Sequence, residues 1–276
     1  MNNSLKLFKN YYRKDISFPR DKIIAPFGIR HFFNENLHQG FFKSASDATH
    51  VKSMFSNHII RSLSESDFEQ ILPYLELVSP SHEDNIYQPE EAIKFVYFPE
   101  DTVFSQFHIL KDGRTTETAM IGREGFAGLQ GITSSRTSNH FLQCLIGGIA
   151  LRLRIEIFRQ KLEKSNSFRE LLFSFSNSFI KQISQRLICS NHHLLDQRTC
   201  CWILMILDRT QNDEIELTHD QIAGYLGVHR PSITHIAQTL REKNIIKYSR
   251  GKIVVVNRQK LENSACECYT HDNFLD

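Results

Sequence analysis

Arg230, Ser232, Thr234, His235 and Gln238 crowd into the segment "VHRPSITHIAQTL", interleaved with the apolar Ile233, Ile236, Ala237 and Leu240. Three- and four-residue spacing puts the apolar set on one face of a helix and the polar set on the other. The polar side chains are donors and acceptors of the kinds that meet base edges and phosphate oxygens in a duplex groove. A helical hairpin built only for packing would more often carry Glu/Lys pairs there. His229 and Pro231 complete the set at the start of this helix.

Something must hold that face outward. Upstream, Thr218 and Gln221 have the spacing of a capping box, with Leu217 and Ile222 at its staple positions, so a first helix starts at Thr218. Ile222, Ala223 and Leu226 form its inner face. Gly227 is the natural residue for a left-handed helix stop, and Pro231 is tolerated in the first turn of the next helix. The small Ala223 permits a close crossing. Together these residues read as a helix-turn-helix. Beyond it, "REKNIIKYSRGKIVVVNR" places Arg250-Gly251-Lys252 at a turn before a β-forming run, which reads as a wing. Arg241, Lys243, Lys247, Arg250 and Lys252 stand against Glu242 alone, a run suited to a phosphate edge. The expected DNA contacts are Thr218, His229, Arg230, Pro231, Ser232, Thr234, His235, Gln238, Arg250 and Lys252.

The rest of the chain supplies a platform. Its 276 residues allow two ordinary domains, and the formal net charge of +2 is by itself a weak pointer to nucleic acid. No run approaches the roughly 18 apolar residues of a membrane span, and the N-terminus lacks a signal-peptide core. A cytoplasmic protein without a membrane partner is therefore expected. The six cysteines, Cys144, Cys189, Cys200, Cys201, Cys266 and Cys268, contain no CxxC pair and are expected to be thiols.

Residues 1–53 carry Lys6, Lys9, Arg13, Lys14, Arg20, Lys22 and Arg30 without sustained periodicity. They are expected to be a basic, loosely held or disordered extension, or to lie upstream of a true start at Met54. "SESDFEQILPYLELV" reads as one or two short helices. Next, "EAIKFVYFPE", "TVFSQFHILKDGRTTETAMIG" and "NHFLQCLIGGIALRLR" are β-rich, with a hairpin at Lys111–Arg114, and suggest a small antiparallel barrel or jelly roll over 54–165. Over 166–195 the period changes. Leu172, Phe175, Phe179, Ile183 and Leu187 form the stripe of a long helix, facing either the chain's own barrel or a twin helix; its heptad-like spacing favours a dimer. A hinge follows at Asn191–Asp196, with His192 and His193 expected to be solvated, and residues 196–276 hold the DNA-binding part. The fold class is α+β: a β-roll, a long dimerisation helix and a winged helix-turn-helix.

This layout, from about Ile59 to Tyr269, resembles the Crp/Fnr family of bacterial transcription regulators, which join a cyclic-nucleotide-binding-like roll to such a helix and reader. The resemblance rests on "VYFPEDTVFSQFHILKDGRTTETAMIGREGFAGL", on "LTHDQIAGYLGVHRPSITHIAQTLREKNIIKYSRGKIVVV" and on the "ACECY" end. It implies a homodimer on a near-palindromic operator, with RNA polymerase as a further partner. It places Arg230 where the family has a base-reading Arg, Pro231 where many members have a Glu, and His235 where activators have a second Arg or a Ser. Two changed readers imply a different half-site.

The ligand pocket departs from the family as well. Cyclic-nucleotide members use a Gly-Glu pair and a later Arg; here Arg123 is inserted before Glu124, and Arg136 lacks the usual context. Arg123, Glu124 and Arg136 remain the candidate effector pocket, but cAMP is not expected. No cysteine precedes Cys144, so the N-terminal iron–sulfur arrangement of oxygen-sensing members is absent, and no cofactor or metal site is expected. Two other regulatory readings stay open: an effector-binding module with a degenerate reader, and a redox-responsive regulator using its cysteines. An enzyme is not expected, because His82, His108 and His140 lack paired ligand spacing and no hydrolase or Walker motif occurs.

Overall fold

A computed structural model of the chain describes residues 51–133, 136–210 and 212–271. Almost all of the basic segment 1–53 lies outside them. Its described end is not loose, because Val51 is buried beside Phe55, Ile59 and Phe68 in a core cluster.

The first helices are α1 (His58–Ser62) and α2 (Glu65–Ile71). Asn57 and Ser64 cap them, each side chain accepting a backbone N–H of the first turn. Seven strands follow: β1 (Glu76–Val78), β2 (Asn85–Tyr87), β3 (Phe95–Pro99), β4 (Val103–Ile109), β5 (Thr115–Ile121), β6 (Phe141–Ile146) and β7 (Ala150–Arg154). They form two antiparallel sheets, ordered β1-β7-β3 and β2-β6-β4-β5. Ile109 pairs with Thr115 across the expected hairpin. Alternating apolar residues fill the roll, as with Tyr87, Phe104, Ile121 and Leu142.

Helix α3 (Ile155–Lys164) leads into α4 (Asn166–His192), which Ser165 caps. The chain breaks only at His193–Leu194 before α5 (Leu195–Thr210), so the hinge is shorter than expected. Helix α5 is buried continuously from Thr199 to Leu207. Around it pack α6 (His219–Leu226), α7 (Arg230–Glu242), α8 (Arg258–Ser264), α9 (Cys268–His271) and the antiparallel sheet β8-β10-β9, formed by Glu214–Glu216, Lys252–Val255 and Ile246–Ser249.

The long helix α4 has two apolar faces. Phe168, Leu172 and Phe175 are buried in the core of the roll, and Phe179 packs partly against it. Phe175 lies 4.8 Å from the Phe126 ring and so close to Gly125 that a Cβ there would stand 2.1 Å from its ring. Leu172 and Phe175 therefore do not serve a partner helix, and Phe179 and Ile183 are half-buried. This corrects the expected dimer stripe. The exposed apolar residues are Phe173, Ile180 and Leu187, seven apart, with Ile188 beside them and Leu194 just past the helix.

Candidate nucleic-acid interface

The capping box forms. Thr218 Oγ1 accepts from the Gln221 N–H at 3.3 Å and Gln221 Oε1 accepts from the Thr218 N–H at 2.8 Å. Leu217 and Ile222 are both buried, consistent with the staple. Gly227 ends α6 at φ +68°, a conformation that costs an L side chain but not glycine, and Val228 N–H returns to Ala223 O. Pro231 sits in the first turn of α7, where no helical N–H partner is lost.

The inner face of α7 is Ile233, Ile236, Ala237 and Leu240, all buried; His229, Arg230, Pro231, Ser232, Thr234, His235 and Gln238 are exposed. Arg230, Ser232, Thr234, His235 and Gln238, which the helical period puts on the outer face, are exposed there. Thr234 is not wholly free, since its hydroxyl donates to Arg230 O and lies 3.1 Å from His219 Nδ1. His219 stacks on Tyr248 of the wing with centroids 4.0 Å apart. Burial first, and the Arg230 charge second, hold its ring below the ordinary histidine range. The stacked imidazole thus ties the first helix to both the second helix and the wing. Sequence reading missed this residue, although a histidine next to the cap was the available signal.

The wing differs from expectation in its charge. Ser249 pairs with Lys252 across a two-residue turn in which Arg250 (φ +49°) and Gly251 (φ +80°) are both left-handed, the geometry of a tight hairpin. Arg250 is exposed at its tip. Lys252, however, is ion-paired with Glu214 on the neighbouring strand and lies opposite Glu216 in register. The basic run is therefore not opposed by Glu242 alone. Strand β8 brings two carboxylates to it that lie far upstream in sequence.

The reader docks on the roll through its non-reading side. Thr115 Oγ1 donates to Gly224 O at 2.8 Å, Gln221 Nε2 donates to Glu83 Oε1 at 2.8 Å, and Tyr225 OH donates to Gln143. Deeper in, the fully buried Glu117 of β5 accepts at Oε1 from Arg186 of α4 (2.6 Å) and Trp202 Nε1 of α5 (2.8 Å), and at Oε2 from Ser105 (2.7 Å). One carboxylate thus joins roll, long helix and DNA-binding part. Glu117 was legible in sequence only as an inconspicuous strand residue, because Arg186 and Trp202 come from segments 69 and 85 residues away.

The expected effector triad does not assemble. Glu124 forms a buried ion pair with Arg209 of α5 at 2.8 Å, and Arg123 Nη2 donates to Asp208 O, so both turn toward the DNA-binding part. Arg136 is exposed, on the loop that pairs with Ile93. What remains near Glu124 is a cavity of about 240 Å³ between α1, β5 and α4, bordered by His58, Met120, Phe179 and Gln182. Glu124 Oε2 has no hydrogen-bond partner among the described residues. Inside the roll, Tyr87, Gln106, His140 and Phe179 leave only about 30 Å³.

The cysteines fall into two groups. Cys144, Cys200 and Cys201 are buried core thiols, as expected of small apolar residues. Cys266 and Cys268 instead meet Cys189 at the end of α4, and His193 contacts Cys268 rather than solvent. The reading of His193 as a solvated linker residue is thereby corrected; His192 is exposed.

Residues 197–264 match the family model of the Crp-like helix-turn-helix domain. No curated protein matches the sequence. Among solved structures, the chain is similar to a protein from Eubacterium rectale assigned to the Crp/Fnr family (17% identity, 75% of this chain and 97% of that one, TM-score 0.60). It is also similar to FixK2 from Bradyrhizobium japonicum (16% identity, 70% and 98%, TM-score 0.59). A third is TTHB099, a regulator of the CRP family from Thermus thermophilus (14% identity, 69% and 96%, TM-score 0.58). At such identities the likeness speaks for the fold, while the family model speaks for the reader. Residues 197–264 thus carry a Crp-like helix-turn-helix domain, and the chain has the fold of these solved regulators.

Proposed function

We propose that the chain is a homodimeric, sequence-specific DNA-binding regulator whose two α7 helices read a near-palindromic operator. The carrying observation is the division of α7, with an apolar face sealed into the domain core and Arg230, Ser232, His235 and Gln238 exposed together on the other. Side chains of this kind give direct readout in the major groove, where Arg pairs with guanine and Gln with adenine. Arg250 at the wing tip supplies a phosphate contact. The dimer forms along Phe173, Ile180 and Leu187, whose seven-residue spacing on an exposed helix face suits a helix–helix seam.

The effector, if small, enters the cavity beside Glu124 rather than the roll interior. The interior space of about 30 Å³ has room for two or three waters and is far below a nucleotide. A cyclic nucleotide is therefore not the ligand of this reading.

The test is selection of bound sequences from a random duplex pool, with untagged full-length protein and no added ligand. A two-fold-symmetric motif, with half-sites about 10–10.5 base pairs apart centre to centre, is expected. If the folded protein enriches no motif, reading without an effector is wrong.

A further inference from the structure

At the junction of long helix and tail, Cys189, His193, Cys266 and Cys268 bring one ligand atom each to within 4.8 Å of one another. Cys189 Sγ lies 3.5 Å from Cys266 Sγ, and Cys268 Sγ lies 3.3 Å from His193 Nδ1. The three thiols are buried. From this geometry we propose that the four residues form a closed Cys3His site for a single zinc ion, which ties the end of α4 to the C-terminal end of the DNA-binding part.

The distances suit one ion. With Zn–S bonds near 2.3 Å and Zn–N bonds near 2.0–2.1 Å, a tetrahedron sets S···S at roughly 3.8 Å and S···N at roughly 3.5 Å. These two separations lie a few tenths of an ångström inside these values, and every other pair lies within 4.8 Å, so an ion seats with small shifts of the side chains. Bridging several irons would require the sulfurs to stand much farther apart. A disulfide would require them near 2.0 Å, well short of the present contact.

The donor chemistry selects the metal. Three soft thiolates and one imidazole favour zinc over magnesium or calcium. Four protein ligands leave no open position, which marks a structural rather than a catalytic site. Cys189 lies in the last turn of α4 and His193 is the C-cap of that helix, its N–H donating to Cys189 O at 3.2 Å, which brings the two side chains together. Cys266 enters from the turn between α8 and α9 and Cys268 from the first position of α9, with one residue between them, one fewer than the shortest usual zinc spacing. The turn and the separate arrival of the other two ligands accommodate this.

The surroundings match a ligated imidazole and thiolate. Glu267 Oε1 lies 3.1 Å from His193 Nε2, which places a proton on that nitrogen and turns the Nδ1 lone pair toward the cysteines. A carboxylate behind a histidine is the usual outer partner of a metal-bound imidazole. Gln185 Nε2 donates to Cys268 Sγ at 2.9 Å, a bond that favours the thiolate. Three thiolates, one neutral imidazole and a divalent ion leave one net negative charge.

The test reads metal and not DNA, so its outcome is separable from that of the operator selection. Full-length protein purified under reducing conditions from zinc-supplemented cells is expected to contain about one zinc per chain by mass spectrometric metal analysis. Stripping with a chelator and adding Co²⁺ should produce tetrahedral ligand-field bands with thiolate charge transfer. Cys266→Ser and Cys268→Ser should abolish both signals, while Cys200→Ser, a buried cysteine outside the cluster, should keep them. Should the serine variants not fold, the stripping and back-titration of the unaltered chain still decide. The proposal is overturned by folded, reduced protein that takes up neither zinc nor cobalt, or by retention of zinc in both serine variants. Acid-labile sulfide with visible absorption would also overturn it, because the site would then hold a cluster and not one ion.

Discussion

Replacing Glu117 with Gln removes one charge from a completely buried site while keeping the shape of the side chain. The variant's amide oxygen can still accept from Trp202, but the Arg186 guanidinium loses its counter-charge at 2.6 Å. Removing one partner of a buried pair costs about 3–5 kcal/mol, because the other charge stays desolvated. The Arg186 side chain keeps 14% exposure, so water relieves part of this and about 3 kcal/mol is expected. That is roughly a hundredfold in the folding equilibrium and a large share of a typical domain's margin. Trp202 is the only tryptophan in the chain and donates directly to Glu117, so its fluorescence in a urea titration reports this junction. The midpoint of that transition should fall by about 1 M or more. Arg186→Met alone should also destabilise, whereas the double variant should lose clearly less than the two single losses combined. Additivity within about 0.5 kcal/mol would show that the two groups are not coupled and refute the junction.

Arg230→Ala should weaken the selected operator by about 1–3 kcal/mol and relax preference at one position per half-site, read by competition binding; a uniform loss over all sequences would remove Arg230 from the readers. Arg250→Ala should lower the salt slope of binding by about one, and Lys252→Ala by less, since Glu214 already holds that ammonium. An equal drop for both would mean that the ion pair opens on DNA. Ile180→Glu should yield monomers in sedimentation, while Phe175→Ala should cost about 3–5 kcal/mol of stability and leave the dimer intact; a dimer surviving Ile180→Glu would place the seam elsewhere. His140 is buried and pushed down to about 4 from 6.5, first by burial and then by the His108 charge. Its folded form stays neutral while the unfolded chain takes up a proton, so stability present above pH 6.5 is lost as pH falls toward 4. The loss is at most about 3 kcal/mol. His140→Gln should flatten this part of the stability profile, and an unchanged slope would assign it to other groups.

The reader was almost fully legible in the sequence. Thr218, Gln221, Gly227 and Pro231 act through bonds and dihedrals that span only a few residues, and period fixes which face of α7 is buried. The β-rich runs and the long helix were legible for the same reason. Strands β1, β2 and β8 were not, because three residues carry no measurable period. Helix α3 went unread although Ile155, Phe158 and Leu162 have helical spacing, since β7 runs into it without a break.

Tertiary structure alone decided which of the two apolar faces of α4 meets the roll. Both faces have helical spacing, and only the position of Phe126 and Gly125 selects Leu172 and Phe175 over Phe173 and Ile180. It also decided that Glu214 neutralises Lys252, that Glu124 turns to Arg209 and away from any ligand formed with Arg136, and that Glu117 joins three segments. Cys189 and Cys266 are 77 residues apart and their sulfurs are 3.5 Å apart. Short-range spacing encodes local geometry, but a charge pair or a ligand set closes only when the chain returns to the same place, and no period in the sequence records that return.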